Sequence, residues 1–160
     1  MCFSLSISDV SQRLTGERNV PPNEPSKKHM KYICLGYFDE KRWETMSENE
    51  RNAIMDECFT YDDVLRKNGH WAGGEALESP RDATTIRLQN GQVSITDGPY
   101  TETKEQLGGI LILEATDLNH AVQLMSKHPA VKHGNTFDIR AVFDMTERIR
   151  ESEQRRAGRS

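Results

Sequence analysis

Strand-like and helix-like patterns alternate along the middle of this chain in one order, and that order limits the folds open to it. Lys31 to Phe38 is a short apolar run rich in aromatic residues, which predicts a strand that is apolar on both faces. A helix is predicted to begin after Ser47, because Glu50 three residues later completes a capping-box pattern. Asn68-Gly69 predicts the end of this helix.

A hairpin and a second strand–helix–strand series follow. Asn90-Gly91 is the strongest short-range signal for a type I′ turn, and apolar and polar residues alternate on both sides of it. The predicted strands and helix of this half are Trp71 to Leu77, the hairpin strands Thr84 to Leu88 and Val93 to Thr96, Gly109 to Leu113, a helix from Asp117 to Pro129, and Thr136 to Phe143.

Taken together, the elements match the ferredoxin-like βαββαβ plan of the α+β class, with an inserted β-hairpin. Two helices can cover only one face of a four-stranded sheet, whereas the first and third strands are apolar on both faces. The second face therefore needs a cover. A second copy of the chain would supply it and would enclose a cavity between the two sheets, so the sequence predicts a homodimer with a dimeric α+β barrel.

The two ends of the chain differ from this middle part. Asn19 to Lys28 is polar and holds three prolines, so residues 1–29 are predicted to be a disordered leader, with Met30 as an alternative start. Residues 144–160 mix arginine and glutamate without an apolar stripe, which predicts a charged tail that is a frayed helix or disordered. The predicted domain is residues 30–143, and the mean hydropathy of −0.74 fits a globular domain with such ends.

Charge and cysteine content exclude several classes of protein. A net charge of −4 gives no general attraction to nucleic acid or to anionic membranes, and no apolar run approaches the length of a membrane span. Cys2, Cys34 and Cys58 are widely spaced and form no CxxC pair, which argues against disulfides and zinc and for a cytoplasmic location. No dinucleotide, phosphate-loop or heme motif occurs, so neither cofactor nor metal is expected.

The most distinctive segment is DGPYTETKE, Asp97 to Glu105, which stands between the hairpin and the buried strand. Asp-Gly-Pro is a common turn sequence, so one interpretation of the segment is purely structural. The other is that the loop closes the mouth of the dimer cavity, where burial would shift the pKa values of Asp97, Tyr100 and Lys104.

This segment, followed by Leu107-Gly108-Gly109, resembles the signature of the DGPF family of YCII-related proteins, with Tyr100 where the name-giving phenylalanine would stand. Gly73-Gly74, His128-Pro129 and Ile139-Arg140 agree with the family pattern in the same order. The resemblance spans about Met30 to Phe143 and implies a dimeric α+β barrel.

The resemblance does not specify a reaction. The resemblance implies the His–Asp pair that YCII-related enzymes use, in which the histidine lies on the first helix, but this chain has no histidine between Ser47 and Asn68. Many DGPF proteins look like genomic companions of extracytoplasmic-function sigma factors, which implies regulation by association only.

Several residues outside the loop could carry chemistry. Asp138 and Arg140 share one face of the last strand, and they face the dimer interior if Phe137 and Ile139 face the helices. The pair could be a structural ion pair across the interface, or Arg140 could hold a substrate carboxylate or enolate. His70 is the preferred general base. The three remaining histidines of the domain are predicted to be surface or capping residues: His120, His128 and His133.

Two functions follow from these patterns. The first is a cofactor-free, isomerase-like or lyase-like enzyme, or a binder, for a compact polar or aromatic molecule in the dimer cavity. Its predicted catalytic residues are His70 and Asp97, and its predicted binding residues are Tyr100, Glu102, Lys104, Asp138 and Arg140. The second is a non-catalytic regulatory domain that partners a sigma factor in transcription initiation.

Overall fold

A four-stranded antiparallel sheet with helices packed on one face forms the body of the protein. The computed structural model describes residues 29–158, so the predicted leader lies outside the described residues apart from His29. The sheet strands lie in the order β2-β5-β1-β6, while β3 and β4 form a separate hairpin, hereafter the arm. The strands are β1 (Met30–Phe38), β2 (Trp71–Ala76), β3 (Thr84–Gln89), β4 (Gln92–Asp97), β5 (Gln106–Ala115) and β6 (Thr136–Ala141). This order confirms the ferredoxin-like α+β fold with its inserted hairpin.

The described residues form the helices α1 (Glu40–Thr45), α2 (Glu48–Lys67), α3 (Leu118–Met125), α4 (Pro129–Lys132) and α5 (Thr146–Ala157). Of these, α1 to α4 begin at side-chain caps that the sequence contains. Ser47 and Glu50 form the predicted capping box of α2, and Asp117 accepts a hydrogen bond from the backbone N–H of His120 at the start of α3. The short helix α1 is capped by Asp39 and was not among the predicted elements.

The hydrophobic core lies between the sheet and helices α2 and α3. Cys34 of β1 and Leu113 of β5 meet Leu65 of α2 and Met125 of α3 there, and all four are fully buried. Met55 and Phe59 fit the helical period of α2, but both are exposed. The inward face of α2 instead passes through Ile54, Cys58, Tyr61, Asp62 and Leu65, which keep the helical spacing of three and four residues.

The other face of the sheet, hereafter the open face, carries Ile33 and Leu35 of β1 and Ile110 and Ile112 of β5. These side chains are half-buried, and each isoleucine or leucine of β1 lies opposite one of β5. On β6, Phe137 and Ile139 pack against the core, so the predicted alternation holds and Asp138 and Arg140 belong to the open face.

The arm and the C-terminal helix stand apart from the core. Asn90 and Gly91 both have positive φ angles, 51° and 79°, which confirms the type I′ turn at the tip of the arm. Helix α5 has no buried residue, and exposed arginine–glutamate pairs run along it. Among the described residues, no helix is both long enough and apolar enough to cross a bilayer.

Candidate functional site

The loop between the arm and β5 borders a cleft of about 690 Å3 at one end of the sheet. Pro99 and Tyr100 of this loop line the cleft together with Ile86 of the arm and with Tyr37 and Leu107 of the sheet. Tyr100 is exposed. The cleft therefore brings the motif loop, the arm and the edge of the open face together.

The charged residues of this loop have separate surroundings. Asp97 ends β4 opposite Thr84, and the turn after it is built by Gly98, whose φ of 93° is the left-handed conformation that glycine adopts easily. Glu102 and Lys104 lie beside a second, more polar cleft of about 620 Å3. Nζ of Lys104 is 3.7 Å from Oδ2 of Asp39 and remains largely exposed.

His70 lies at the opposite end of the sheet from this loop. Its Nδ1–H donates to the carbonyl oxygen of Glu114 at 3.0 Å, and its ring packs edge-on against His120. Gln106, where the motif loop joins β5, is eight residues from Glu114, which corresponds to about 27 Å along a strand. Within this chain, His70 and Asp97 are therefore not brought into a common site.

Asp138 and Arg140 form an ion pair within β6. Nε of Arg140 donates to Oδ2 of Asp138 at 2.9 Å, and a second guanidinium nitrogen contacts the same oxygen. These hydrogen bonds hold the pKa of Asp138 below its ordinary value and that of Arg140 above it. The role of the pair at a dimer interface stays a prediction.

A buried histidine–aspartate pair joins helix α2 to the turn before α4. His128 is 5% exposed and Asp62 is 8% exposed, and Nε2 of His128 lies 3.3 Å from Oδ1 of Asp62. The ring of Tyr61 packs edge-on against the His128 ring, with 5.5 Å between the ring centroids, and Phe137 packs on it at 5.8 Å. A polar pair this far from solvent is held in one geometry by its surroundings.

The hydrogen bonds of His128 fix the position of its proton. The backbone N–H of Ala130 donates to Nδ1 at 3.2 Å, so Nδ1 carries a lone pair and the proton of the neutral ring is on Nε2. That Nε2–H donates to Asp62. Because both ring nitrogens are engaged, the oxygen atoms of Asp62, and not the imidazole, are the available proton acceptors of this pair.

Asp62 and His128 line a pocket of about 470 Å3 between α2 and the sheet. Aromatic side chains dominate its walls: Phe38, Trp43, Phe59, Trp71 and Phe137. The guanidinium of Arg66 lies 4.2 Å from the centroid of the Trp71 ring at the same pocket. The pocket thus combines flat apolar walls, one cation and one buried carboxylate.

The floor of this pocket is glycine backbone. Gly36 of β1 lies opposite Gly109 of β5, and Gly74 and Gly108 also line the pocket. A Cβ atom at Gly74 would lie 2.9 Å from the Trp71 ring. Glycine is therefore required where the aromatic rings lie directly against the sheet.

Of the two cysteines of the described residues, Cys34 is buried and Cys58 is partly buried. Burial raises the pKa of Cys34 to about 12 and also raises the pKa of Cys58. Both are therefore protonated near neutrality and poor nucleophiles. Within residues 29–158, no group of three or more histidine, cysteine or acidic side chains is arranged to hold a metal ion.

The Asp62–His128 pair is not among the site residues that the sequence suggested. His128 does cap a helix, as predicted, because its side chain accepts from Ala130 at the start of α4. Asp62 could have indicated this pair in the sequence, because it lies between Cys58 and Leu65 on the inward face of α2. A carboxylate on a buried helix face requires a polar partner.

Comparison with known proteins identifies relatives of the whole sheet region. The family model described as the YCII-related domain matches residues 30–146, which include the sheet, the arm and helices α1 to α4. An uncharacterized protein of Rhizobium meliloti (strain 1021) is 29% identical over 93 residues, covering 58% of this chain and 75% of that relative.

Proposed function

We propose that this chain, which belongs to the YCII-related domain family, binds a small planar molecule in the pocket at Asp62 and His128. In this proposal the domain catalyses a cofactor-free proton transfer there, of the kind used in isomerisation or elimination. The observation that carries the proposal is the buried Asp62–His128 hydrogen bond at the wall of a glycine-floored pocket.

The roles of the two residues follow from the tautomer of His128. Asp62 is the base, because its carboxylate takes a proton from a carbon or oxygen atom of the ligand. His128 is a positioning residue that donates Nε2–H to the carboxylate and keeps it aimed. In an isomerisation, Asp62 returns the same proton to a neighbouring ligand atom, so no external oxidant or reductant is needed.

The remaining groups of the pocket support a planar, electron-rich or anionic ligand. Removal of a proton next to a carbonyl places negative charge on the carbonyl oxygen, and the Arg66 guanidinium would stabilise that charge. Aromatic walls such as Trp71 and Phe137 favour flat ligands, because stacked rings bury a large apolar area. A volume of about 470 Å3 is within the range of small-molecule sites.

A thermal-shift screen of the full chain against aromatic carboxylates, phenols and lactones tests this function. A stabilising ligand should lose its effect in Asp62→Asn, which keeps the shape of the side chain and removes its charge. Asp56→Asn is the matched control, because Asp56 lies on the same helix, is exposed and does not line the pocket. The control should keep the full shift.

Other outcomes would contradict the proposal. A ligand could stabilise Asp62→Asn as much as the unchanged chain but fail to stabilise Asp97→Asn. That result would mean that the ligand binds at the loop of Tyr100 and not at Asp62. If no compound in the library raises the melting temperature, the regulatory alternative is favoured. The corresponding test of that alternative is capture of a sigma factor by the full chain.

A further inference from the structure

Helix α1 carries part of the aromatic wall of the pocket at Asp62. Its Trp43 side chain lines the pocket of about 470 Å3 together with Phe59 of α2, and these two rings are the outer wall of the pocket. A small cavity of about 40 Å3 borders Trp43 between α1, Ile54 and Gly134. The half-buried Trp43 ring is therefore not closely packed on that side.

Packing holds α1 only weakly. The helix has six residues, and none of them is buried. Isolated helices shorter than about 12 residues are marginal in water, so α1 depends on the contacts of its surface side chains. Its two flanking residues, Asp39 and Met46, have extended backbone, and residues at the ends of an element can act as hinges.

Arg81 joins two acidic side chains of α1. Its Nη2 atom lies 2.6 Å from Oε1 of Glu44 and 3.2 Å from Oε2 of Glu40. Glu40 and Glu44 are four residues apart on one side of the helix, where two carboxylates without a cation between them destabilise it. Arg81 belongs to the turn Pro80–Asp82, which leads into the arm, so the ion pairs tie α1 to the base of the arm.

Two further polar contacts hold the same helix. The Ser79 hydroxyl donates to Oε1 of Glu40 at 2.6 Å, and the Glu40 side chain is only 19% exposed. A hydrogen bond to a charged group is stronger than one between neutral groups. Lys104 of the motif loop lies 3.7 Å from the carboxylate of Asp39, which caps the start of α1.

The energy of such contacts matters locally. Exposed ion pairs add little to the stability of a whole domain, because solvent screens them and long side chains lose freedom when they pair. Helix α1 has no buried side chain of its own, so the same small energies decide whether it stays in place.

We propose that Arg81 is a positioning residue of the pocket: by holding α1, it fixes Trp43 in the outer wall and so determines how much room a ligand has beside that ring. When the contacts of Arg81 to Glu40 and Glu44 break, α1 turns about its two ends and Trp43 leaves the wall. The inference rests on the proposed function for the use of the pocket, but it does not require the proton transfer at Asp62.

The inference also gives the motif loop a part in the pocket. Lys104 is among the binding residues that the sequence predicts, and its ammonium group lies beside Asp39. In this proposal Lys104 acts on the pocket through α1, without contact to the ligand.

Fluorine NMR of the full chain labelled with 5-fluorotryptophan tests the proposal. The chain contains two tryptophans, Trp43 and Trp71, and the variant Trp43→Phe assigns their two signals. The chemical shift of each signal differs more between H2O and D2O when water reaches the ring. In Arg81→Gln this difference should increase for Trp43.

The backbone amide of Trp43 provides a second measurement. Its N–H donates to the carbonyl oxygen of Asp39 at 3.1 Å, and its exchange with water should be about three- to tenfold faster in Arg81→Gln. One nitrogen of Arg81 makes both ion pairs, so a single ammonium group can replace it. Arg81→Lys should therefore restore the exchange rate to within about twofold of the unchanged chain.

Arg150→Gln is the matched control. It breaks the ion pair of Arg150 with Glu147, which is equally short at 2.6 Å and similarly exposed but lies in α5. Both Trp43 measurements should remain unchanged in this variant. The urea midpoint of Arg81→Gln should fall no further than that of Arg150→Gln, because α1 moves while the core stays folded.

Salt provides a test on the unmodified chain. Raising NaCl from about 0.1 to about 1 M shortens the screening length from about 10 to about 3 Å and weakens the ion pairs. The Trp43 signal of the unchanged chain should then move toward that of Arg81→Gln.

A Trp43 signal that neither Arg81→Gln nor salt changes would overturn the proposal, as would an equal change in Arg150→Gln. These measurements need no ligand. If the thermal-shift screen fails, they still report on α1, and a Trp43 ring that does not move would leave the site at Asp62 and His128 as proposed.

Discussion

Gly36 of β1 lies opposite Phe137 of β6, and the Phe137 ring lies so close to it that a Cβ atom on Gly36 would be 2.9 Å from Cε1. Phe137 in turn packs on the ring of His128. A single glycine therefore determines how near the aromatic wall of the pocket comes to the sheet.

Gly36→Ala should destabilise the protein by about 1–3 kcal/mol, because the Phe137 ring must move away from its present packing. Urea denaturation of the two proteins measures the difference. Gly158→Ala is the control, since its added methyl group would be 3.7 Å from the nearest atom and its φ is negative. Equal losses in the two variants would mean that the ring is free to shift.

His128→Ala should lower the free energy of unfolding by about 3 kcal/mol, because it leaves the Asp62 carboxylate buried without its partner and removes the cap of α4. His133→Ala provides the comparison. Nε2 of His133 lies 3.2 Å from the exposed Glu57, and loss of that contact should cost less than about 1 kcal/mol. Chemical denaturation that found the two losses equal would contradict the importance of the buried pair.

The hydroxyl group of Tyr61 donates to the carbonyl oxygen of Leu124 at 2.8 Å and so ties α2 to the end of α3. Tyr61→Phe should therefore cost about 1 kcal/mol in thermal or urea unfolding. The nearest polar partner of the Tyr32 hydroxyl is the Met30 sulfur at 3.9 Å, a weak contact, so Tyr32→Phe should cost less than about 0.5 kcal/mol. The reverse ranking would show that the α2–α3 contact is not held by this bond.

Cys34 makes stability depend on pH above 9. Burial raises its pKa from an ordinary value of 9.0 to about 12 in the folded protein, so between these values the unfolded chain releases a proton that the folded chain keeps. The contribution of the thiol to stability is complete below pH 9 and falls by roughly 1.4 kcal/mol for each pH unit from there to pH 12. Urea midpoints measured from pH 8 to 11 should fall less steeply for Cys34→Ala. Parallel curves would contradict this assignment.

Much of the fold follows from local signals in the sequence. Ser47 and Glu50 mark the beginning of α2, Asn90-Gly91 marks the turn of the arm, and the alternation of Phe137 with Asp138 gives the two faces of β6. Each of these depends on neighbouring residues only, so the physical chemistry of a few positions determines it. Helix α1 escaped prediction because its six residues are too few to carry an apolar stripe.

The pocket could not be predicted in the same way. Asp62 and His128 are 66 positions apart, and their meeting depends on how α3 and α4 pack on α2. Met55 and Phe59 fit the helical period of α2, yet small rotations of the helix decide which of several apolar residues faces the sheet. Long-range packing of this kind leaves little trace in one sequence beyond the buried carboxylate of Asp62.

Because the floor of the pocket is glycine backbone, the strands that form the sheet and the side chains that would select a ligand are different parts of the protein. The paired strands at Gly36 and Gly109 offer a ligand no side chains, so substitutions at Trp43 or Phe59 on the outer wall can reshape the pocket without touching the sheet. Related chains with this floor could therefore diverge in the molecules they accept while keeping the same strands, the same register and the same stability.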